Sequence, residues 1–205
     1  MNLPVSAQRR LVLASDNHGK LAELRALLAP MRAQVEPQAA LGVQGAEEPY
    51  DTFVENALAK ARHAARATSW PALADDSGLC CCALDGAPGV HSARFAGPEA
   101  KAAHNNELLL RRLRGIADRR AHFQCVIVAL RSADDPEPLI ADGRWDGEIV
   151  EPAQGEGGFG YDPHFWVPEL SATAAQLPAA QKNRLSHRAL AMQAMVGLLR
   201  RRWGW

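Results

Sequence analysis

Residues 9–30 read RRLVLASDNHGKLAELRALLAP, and this stretch decides the fold. A short apolar run follows the two arginines and is broken by Asn17-His18-Gly19. Leu21, Leu24, Leu27 and Leu28 then recur at helical spacing until Pro30 closes the pattern. Strand, polar glycine-containing loop and helix make the α/β arrangement that turns backbone N–H groups and a helix N-terminus toward an anion. The loop SDNHGK is not a Walker A sequence, because GxxxxGK[ST] is absent from the chain. With Lys20 in the first helical turn, it is nevertheless the right kind of place for phosphate.

Downstream, the α/β pattern continues. Thr52 and Glu55 fit a capping box, and the Ala-rich residues after them read as a helix. Residues 71–82, PALADDSGLCCC, read as an apolar strand that ends on two adjacent carboxylates and a turn. A Gly/Pro loop (84–97), an amphipathic helix and a strand from Phe123 to Leu130 follow, the strand apolar enough to be buried on both faces. PLIADGRWDGEIV reads as one or two strands around an Asp146-Gly147 turn. Gly155, Gly157, Gly158 and Gly160 mark a flexible connection. Ser186 is placed as N-cap of a last helix that sends Leu190, Met192, Met195, Leu198 and Leu199 to the core. His187 and Arg188 then occupy its first turn, where cations oppose the helix dipole unless they bind something.

Composition bounds the function. The 205 residues, with no repeat or linker, suit one domain over 1–205, and 47% hydrophobic content supplies a core. Lys plus Arg equals Asp plus Glu at 23 each, so no net basic field attracts nucleic acid. The basic runs RRLRGIADRR and LLRRRW read as solvated helix faces. No apolar run approaches the ~20 residues of a membrane helix. The N-terminal apolar stretch is too short for a signal sequence, which makes the cytoplasm the default. Cys80, Cys81 and Cys82 are consecutive and Cys125 is alone, so they form neither a disulfide framework nor a zinc knuckle.

Each polar element has a bland structural reading: SDNHGK a capped loop, DDSG a turn, GGFGYDP a connection, SHR a helix cap. Together they offer phosphate donors (Lys20, Lys182, Arg188), metal-suitable carboxylates (Glu47, Glu48, Asp75, Asp76) and an aromatic able to stack on a base, Phe159. Hard oxygen ligands, cations and a π-surface are what a magnesium–nucleotide site needs.

Six stretches in order, LASDNHGKLAEL, EEPYDTFVENALAKARHAA, ADDSGL, LDGAPGVHSARFAG, GGFGYDPHF and SHRALAM, resemble the inosine/xanthosine triphosphate pyrophosphatase family, also called dITP/XTP or non-canonical purine NTP pyrophosphatases. The resemblance runs from about Leu11 to Leu199. It implies an α/β fold with an elongated mixed central sheet flanked by helices, two lobes with the nucleotide cleft between them, and a homodimer. It implies Mg²⁺-dependent hydrolysis of ITP, dITP or XTP to the monophosphate and pyrophosphate, which cleanses the nucleotide pool of deaminated purines.

The same resemblance assigns roles. Asp76 is the proton acceptor and a magnesium ligand, with Ser77 touching substrate. Glu47 is the second metal carboxylate by its position in AEE, in preference to Glu48. Ser15, Asp16, Asn17, His18, Gly19 and Lys20 form the triphosphate loop. Phe159, Gly160, Tyr161 and Asp162 cover the base, with Phe159 stacking on it, while Lys182, His187 and Arg188 complete the site. One departure is visible, since the first motif often begins Thr-Gly-Asn and here reads Ser15-Asp16-Asn17. Ser15 replaces the Thr hydroxyl, and the added Asp16 carboxylate is expected to point away from the phosphates.

Three rival readings have discriminating features. Maf-like pyrophosphatases carry a first motif like Ser-x-Ser-Pro-Arg-Arg, which SDNHGK does not match. A catalytically silent nucleotide sensor would have degraded carboxylates, and here they are present. A nucleic-acid-binding module is disfavoured by the balanced charge.

Overall fold

The structure, a computed structural model, describes residues 9–31 and 33–205. The side chain of His18, one of the loop residues named above, lies outside the described part. A seven-stranded mixed sheet organises the chain: β1 (Arg10–Leu13), β2 (Gln34–Pro37), β3 (Ala72–Cys81), β4 (Arg120–Leu130), β5 (Leu139–Ile149), β6 (Phe165–Val167) and β7 (Ala172–Thr173). Their order is β2-β1-β3-β4-β5-β6-β7. β1 runs parallel to both β2 and β3, whereas β6 is antiparallel to β5 and β7. The helices are α1 (His18–Leu28), α2 (Phe53–Thr68), α3 (Ala102–Leu113), α4 (Ala179–Leu185) and α5 (His187–Leu198). No helix among the described residues is long and apolar enough to cross a membrane. All four cysteines are free thiols.

The α/β reading holds, with local corrections. α1 starts at His18, with the Asn17 side chain accepting from Lys20 N at 3.0 Å, so the helix reaches further into the polar loop than the glycine suggests. Asp75-Asp76-Ser77-Gly78 is no turn. β3 runs straight through it, and both carboxylates are buried, Asp75 at 1% and Asp76 at 4% exposure. Lysines meet them there, which removes the penalty that argued for a turn. Asp146-Gly147 is likewise inside a single strand, β5. Gly147 serves close approach, since a Cβ would sit 2.6 Å from the Phe165 ring. Leu190 is 38% exposed rather than core, while Met192, Met195 and Leu199 are buried as expected.

The chain divides into two compact units. One comprises Met1–Asp76, Val126–Ala141 and Ala191–Trp205; the other comprises Ser77–Cys125 and Asp142–Leu190. In the first, Ala57, Ala61, Ala64 and Ala65 of α2 pack on Val12, Ala14, Ala72, Ala74, Val126, Val128 and Leu130. Small side chains at i, i+4, i+7 and i+8 let this helix lie close to the sheet. In the second, Phe165 is fully buried, its ring 4.5 Å from Phe123 and 5.4 Å from Trp145. Truncating Phe165 to Ala in such a cluster costs about 3–5 kcal/mol.

Candidate active site

In the first unit a buried lysine collects carboxylates. Lys60, on the third turn of α2, places Nζ 2.6 Å from Glu48 Oε1 and 3.3 Å from Asp76 Oδ1. Asn56, one turn earlier and fully buried, donates to Asp76 Oδ2 at 3.3 Å and to Tyr50 O at 3.0 Å, and its Oδ1 accepts from Tyr50 N. Lys20 Nζ reaches Asp75 Oδ2 at 3.1 Å. Thr52 caps α2 by accepting from Glu55 N, half of the expected capping box, while the Glu55 carboxylate accepts from the Thr52 hydroxyl at 2.6 Å rather than from its backbone N–H; the cap sets the start of the helix that carries Asn56 and Lys60.

The electrostatics follow from burial. Desolvation pushes the Asp76 carboxyl above its usual range, with Lys60 and Lys20 opposing and the Glu48 and Asp75 charges reinforcing. For Lys60, burial works against the charged form, but Asp76, Asp75 and Glu48 outweigh it and hold the ammonium above its ordinary value. Among the described residues no three His, Cys, Asp or Glu side chains form a ready metal cage. A magnesium-type ion needs none, because it takes one or two carboxylates and fills its octahedron with water and phosphate oxygens. Glu48 and Asp76 are hard oxygen donors that fit that requirement.

Of the two glutamates, Glu48 is the one tied through Lys60 to Asp76, while Glu47 is exposed. Asp16 turns its carboxylate to Gln38 Nε2, 2.9 Å away. Sequence reading missed Asn56 and Lys60. They stand at i and i+4, on the side of α2 whose other members are buried alanines, and two polar residues on an apolar face were the available signal.

The second unit holds the aromatic and cationic set. Asp162 Oδ2 accepts from Lys182 Nζ at 2.7 Å and from Phe159 N at 2.7 Å, so one carboxylate fastens a cation and closes the loop. Tyr161 packs inward, its hydroxyl donating to Ser92 O at 2.9 Å, and Gly160 O accepts from Asn106 Nδ2. Phe159 stays 36% exposed, with Lys182 Nζ 5.0 Å and Arg188 Cζ 5.6 Å from its ring centre. Arg188 is 2% exposed and donates to Ser77 Oγ at 3.1 Å. His187 stacks on Phe123 at 4.7 Å and 13°. Ser186 Oγ accepts from Ala189 N at 3.3 Å, as the N-cap reading expects.

The fold is a mixed α/β sheet in which one unit carries lysine-braced carboxylates and the other a cation-flanked aromatic loop. Residues 11–198 match the model of the Ham1 family, and the chain belongs to that family. It is 60% identical over 199 residues to a dITP/XTP pyrophosphatase of Burkholderia pseudomallei (strain K96243), covering 96% of each chain. It is 60% identical over 196 residues to a dITP/XTP pyrophosphatase of Ralstonia nicotianae, covering 94% of this chain and 97% of that one. Among solved structures, a HAM1 protein from Coxiella burnetii superposes with a TM-score of 0.88 at 46% identity, over 94% of this chain and 98% of that one. The Staphylococcus aureus Ham1 protein does so at 0.83 and 39% identity, over 93% and 98%.

Proposed function

We propose that this protein is a hydrolase that converts non-canonical purine nucleoside triphosphates, dITP, ITP and XTP, to the monophosphate and pyrophosphate. The observation that carries the reading is the buried Asp76 carboxylate, held by Lys60 and Asn56 on a strand whose next residue, Ser77, hydrogen-bonds Arg188. The names of the relatives support the substrate class.

Asp76 accepts the proton of the attacking water as its oxygen bonds to the α-phosphorus. The bond from that phosphorus to the bridging oxygen breaks, and pyrophosphate leaves intact. Asp76, with Glu48, the glutamate that shares Lys60 with it, would hold Mg²⁺, which when bound would polarise phosphate oxygens and lower the pKa of a coordinated water. Lys20 and the α1 N-terminus, with Ser15, Asn17 and Gly19, neutralise the phosphates. Phe159 stacks on the base, Lys182 and Asp162 brace the loop, and His187 and Arg188 supply donors at the base edge. A 6-keto purine satisfies such donors, and adenine leaves them unpaired, a mismatch worth roughly 10⁴-fold or more in built polar sites. We assign the reaction to the cytoplasm, where triphosphates are polymerised, and the working form to a homodimer.

ITP, XTP, GTP and ATP incubated side by side, with and without Mg²⁺, test the reading. IMP and pyrophosphate appear from ITP only with the metal, and no IDP accumulates. Orthophosphate released directly with IDP would identify a γ-phosphatase and overturn the proposal.

A further inference from the structure

The loop that delivers Glu48 is fastened along its length. Val43 N bonds Gln38 O at 3.1 Å, Gln44 O meets His63 Nε2 at 2.9 Å, Glu48 meets Lys60, and Tyr50 is clasped by Asn56. Between Gln44 and Glu48 stands Gly45, where an added Cβ would overlap Asp16 Oδ2 and lie 3.6 Å from Gln38 Nε2. Asp16 itself is held by Gln38, a buried residue at 3% exposure. The Asp16 carboxylate therefore rests against Gln38 and the bare face of Gly45, with its outer side open to solvent. It joins the loop before α1, which Lys20 anchors to Asp75, to the loop that carries Glu48.

We propose that Asp16 is a positioning residue for the metal carboxylates: its contact with Gln38 and Gly45 sets the loop height at which Glu48 meets Asp76's lysine partner. The inference rests on reading Glu48 as a metal carboxylate. Asp16 stands where the related motif often has Gly. Its carboxylate is engaged sideways by an amide donor, which keeps its charge from the loop's anion-facing N–H groups. Groups hydrogen-bonded directly to a ligand change metal affinity by roughly 10- to 100-fold when removed, and Asp16, which acts through the loop backbone, falls at the low end of that range.

Mn²⁺ alone, titrated into the full-length protein and followed by its paramagnetic resonance signal, tests this without turnover. Asp16→Ala binds Mn²⁺ about tenfold more weakly than the wild type. Asp16→Asn, which keeps the oxygen acceptor for Gln38 Nε2, restores affinity. Gly45→Ala weakens binding similarly, because its methyl group displaces the carboxylate. In the Asp16→Ala background the same Gly45→Ala change costs nothing further, as the two act through one contact. Thermal unfolding of each variant shows that it is folded, Asp16 being exposed. Wild-type affinity in Asp16→Ala, or additive losses in the double variant, overturns the proposal while leaving Glu48's role intact. Wild-type affinity in Glu48→Gln removes the reading beneath it, and the proposal falls with it.

Discussion

Lys60 Nζ lies 3.3 Å from Asp76 Oδ1, and both side chains are at least nine-tenths shielded from solvent, at 10% and 5% exposure. Removing the cation leaves the Asp76 carboxylate buried without its ammonium partner, and the half-buried Glu48 without its own. Breaking a buried ion pair by deleting one side costs about 3–5 kcal/mol. Lys60→Met should therefore lower unfolding free energy by about 3 kcal/mol in metal-free buffer. Mg²⁺ should restore part of that loss, because a ligand of the native state stabilises by mass action. Denaturant titrations with and without Mg²⁺ measure both effects. Equal stability of variant and wild type would show that the pair carries no such strain.

Asp76 and Asp75 are neighbours on β3 with different partners, which separates their roles. Asp76→Asn removes the proton acceptor and a charged ligand, so kcat for ITP should fall roughly 10²-fold or more. Asp75 meets Lys20, the cation of the α1 loop. Asp75→Asn should spare most of kcat and raise KM, since Lys20 loses the carboxylate that aims it. Steady-state kinetics on ITP distinguish the two, and equal kcat losses would mean that the carboxylates work as one group.

The strand–loop–helix opening, the capped α2, the apolar β4 and the six ordered motifs were legible because local pattern and global fold agree there. Legibility failed where long-range contacts decide. DDSG looks like a turn because turn residues are recognised by type, yet lysines from α1 and α2 make its carboxylates tolerable inside a strand. Asp146-Gly147 looks like a hairpin because nothing local announces that Phe165 will lie against the glycine. β6 and β7, only 3 and 2 residues long, are too short to carry a period. AEE favours Glu47 by position, and nothing local announces that Lys60 will pair with its neighbour Glu48.

On the solvent side of β4 and β5, His122 supplies a pH-dependent increment of stability. Its ring is partly buried, and its Nε2 lies 3.4 Å from Arg144 Nη1. Desolvation first, and the Arg144 charge second, lower its pKa from 6.5, with Asp146 opposing. The folded state thus binds fewer protons there than the unfolded chain. The contribution is complete above the unfolded value and is lost as pH falls from about 6.5 toward the depressed folded value. His122→Gln should flatten this part of the stability curve between neutral and mildly acidic pH. Urea midpoints at a series of pH values test it, and an unchanged slope would place the dependence on other groups.

Base selection is tested at Arg188. From sequence alone, a cation in the first turn of α5 opposes the helix dipole, and Arg188→Ala should leave stability unchanged or raise it. Burial reverses that sign. Arg188 is 2% exposed, donates to Ser77 Oγ at 3.1 Å and lies over Phe159, so its loss removes packing and a charge-assisted hydrogen bond. The variant should lose about 1.5–3 kcal/mol of stability. If the guanidinium also reads the 6-keto edge, ITP efficiency should fall about 10- to 150-fold, while ATP, whose amino group never accepted that donor, falls far less. The ITP/ATP ratio of kcat/KM therefore separates the two effects, since a purely structural loss lowers both nucleotides together. A ratio that stays at the wild-type value would assign Arg188 to phosphate or to the fold, and the 6-keto reading would pass to His187, which Phe123 already holds by stacking.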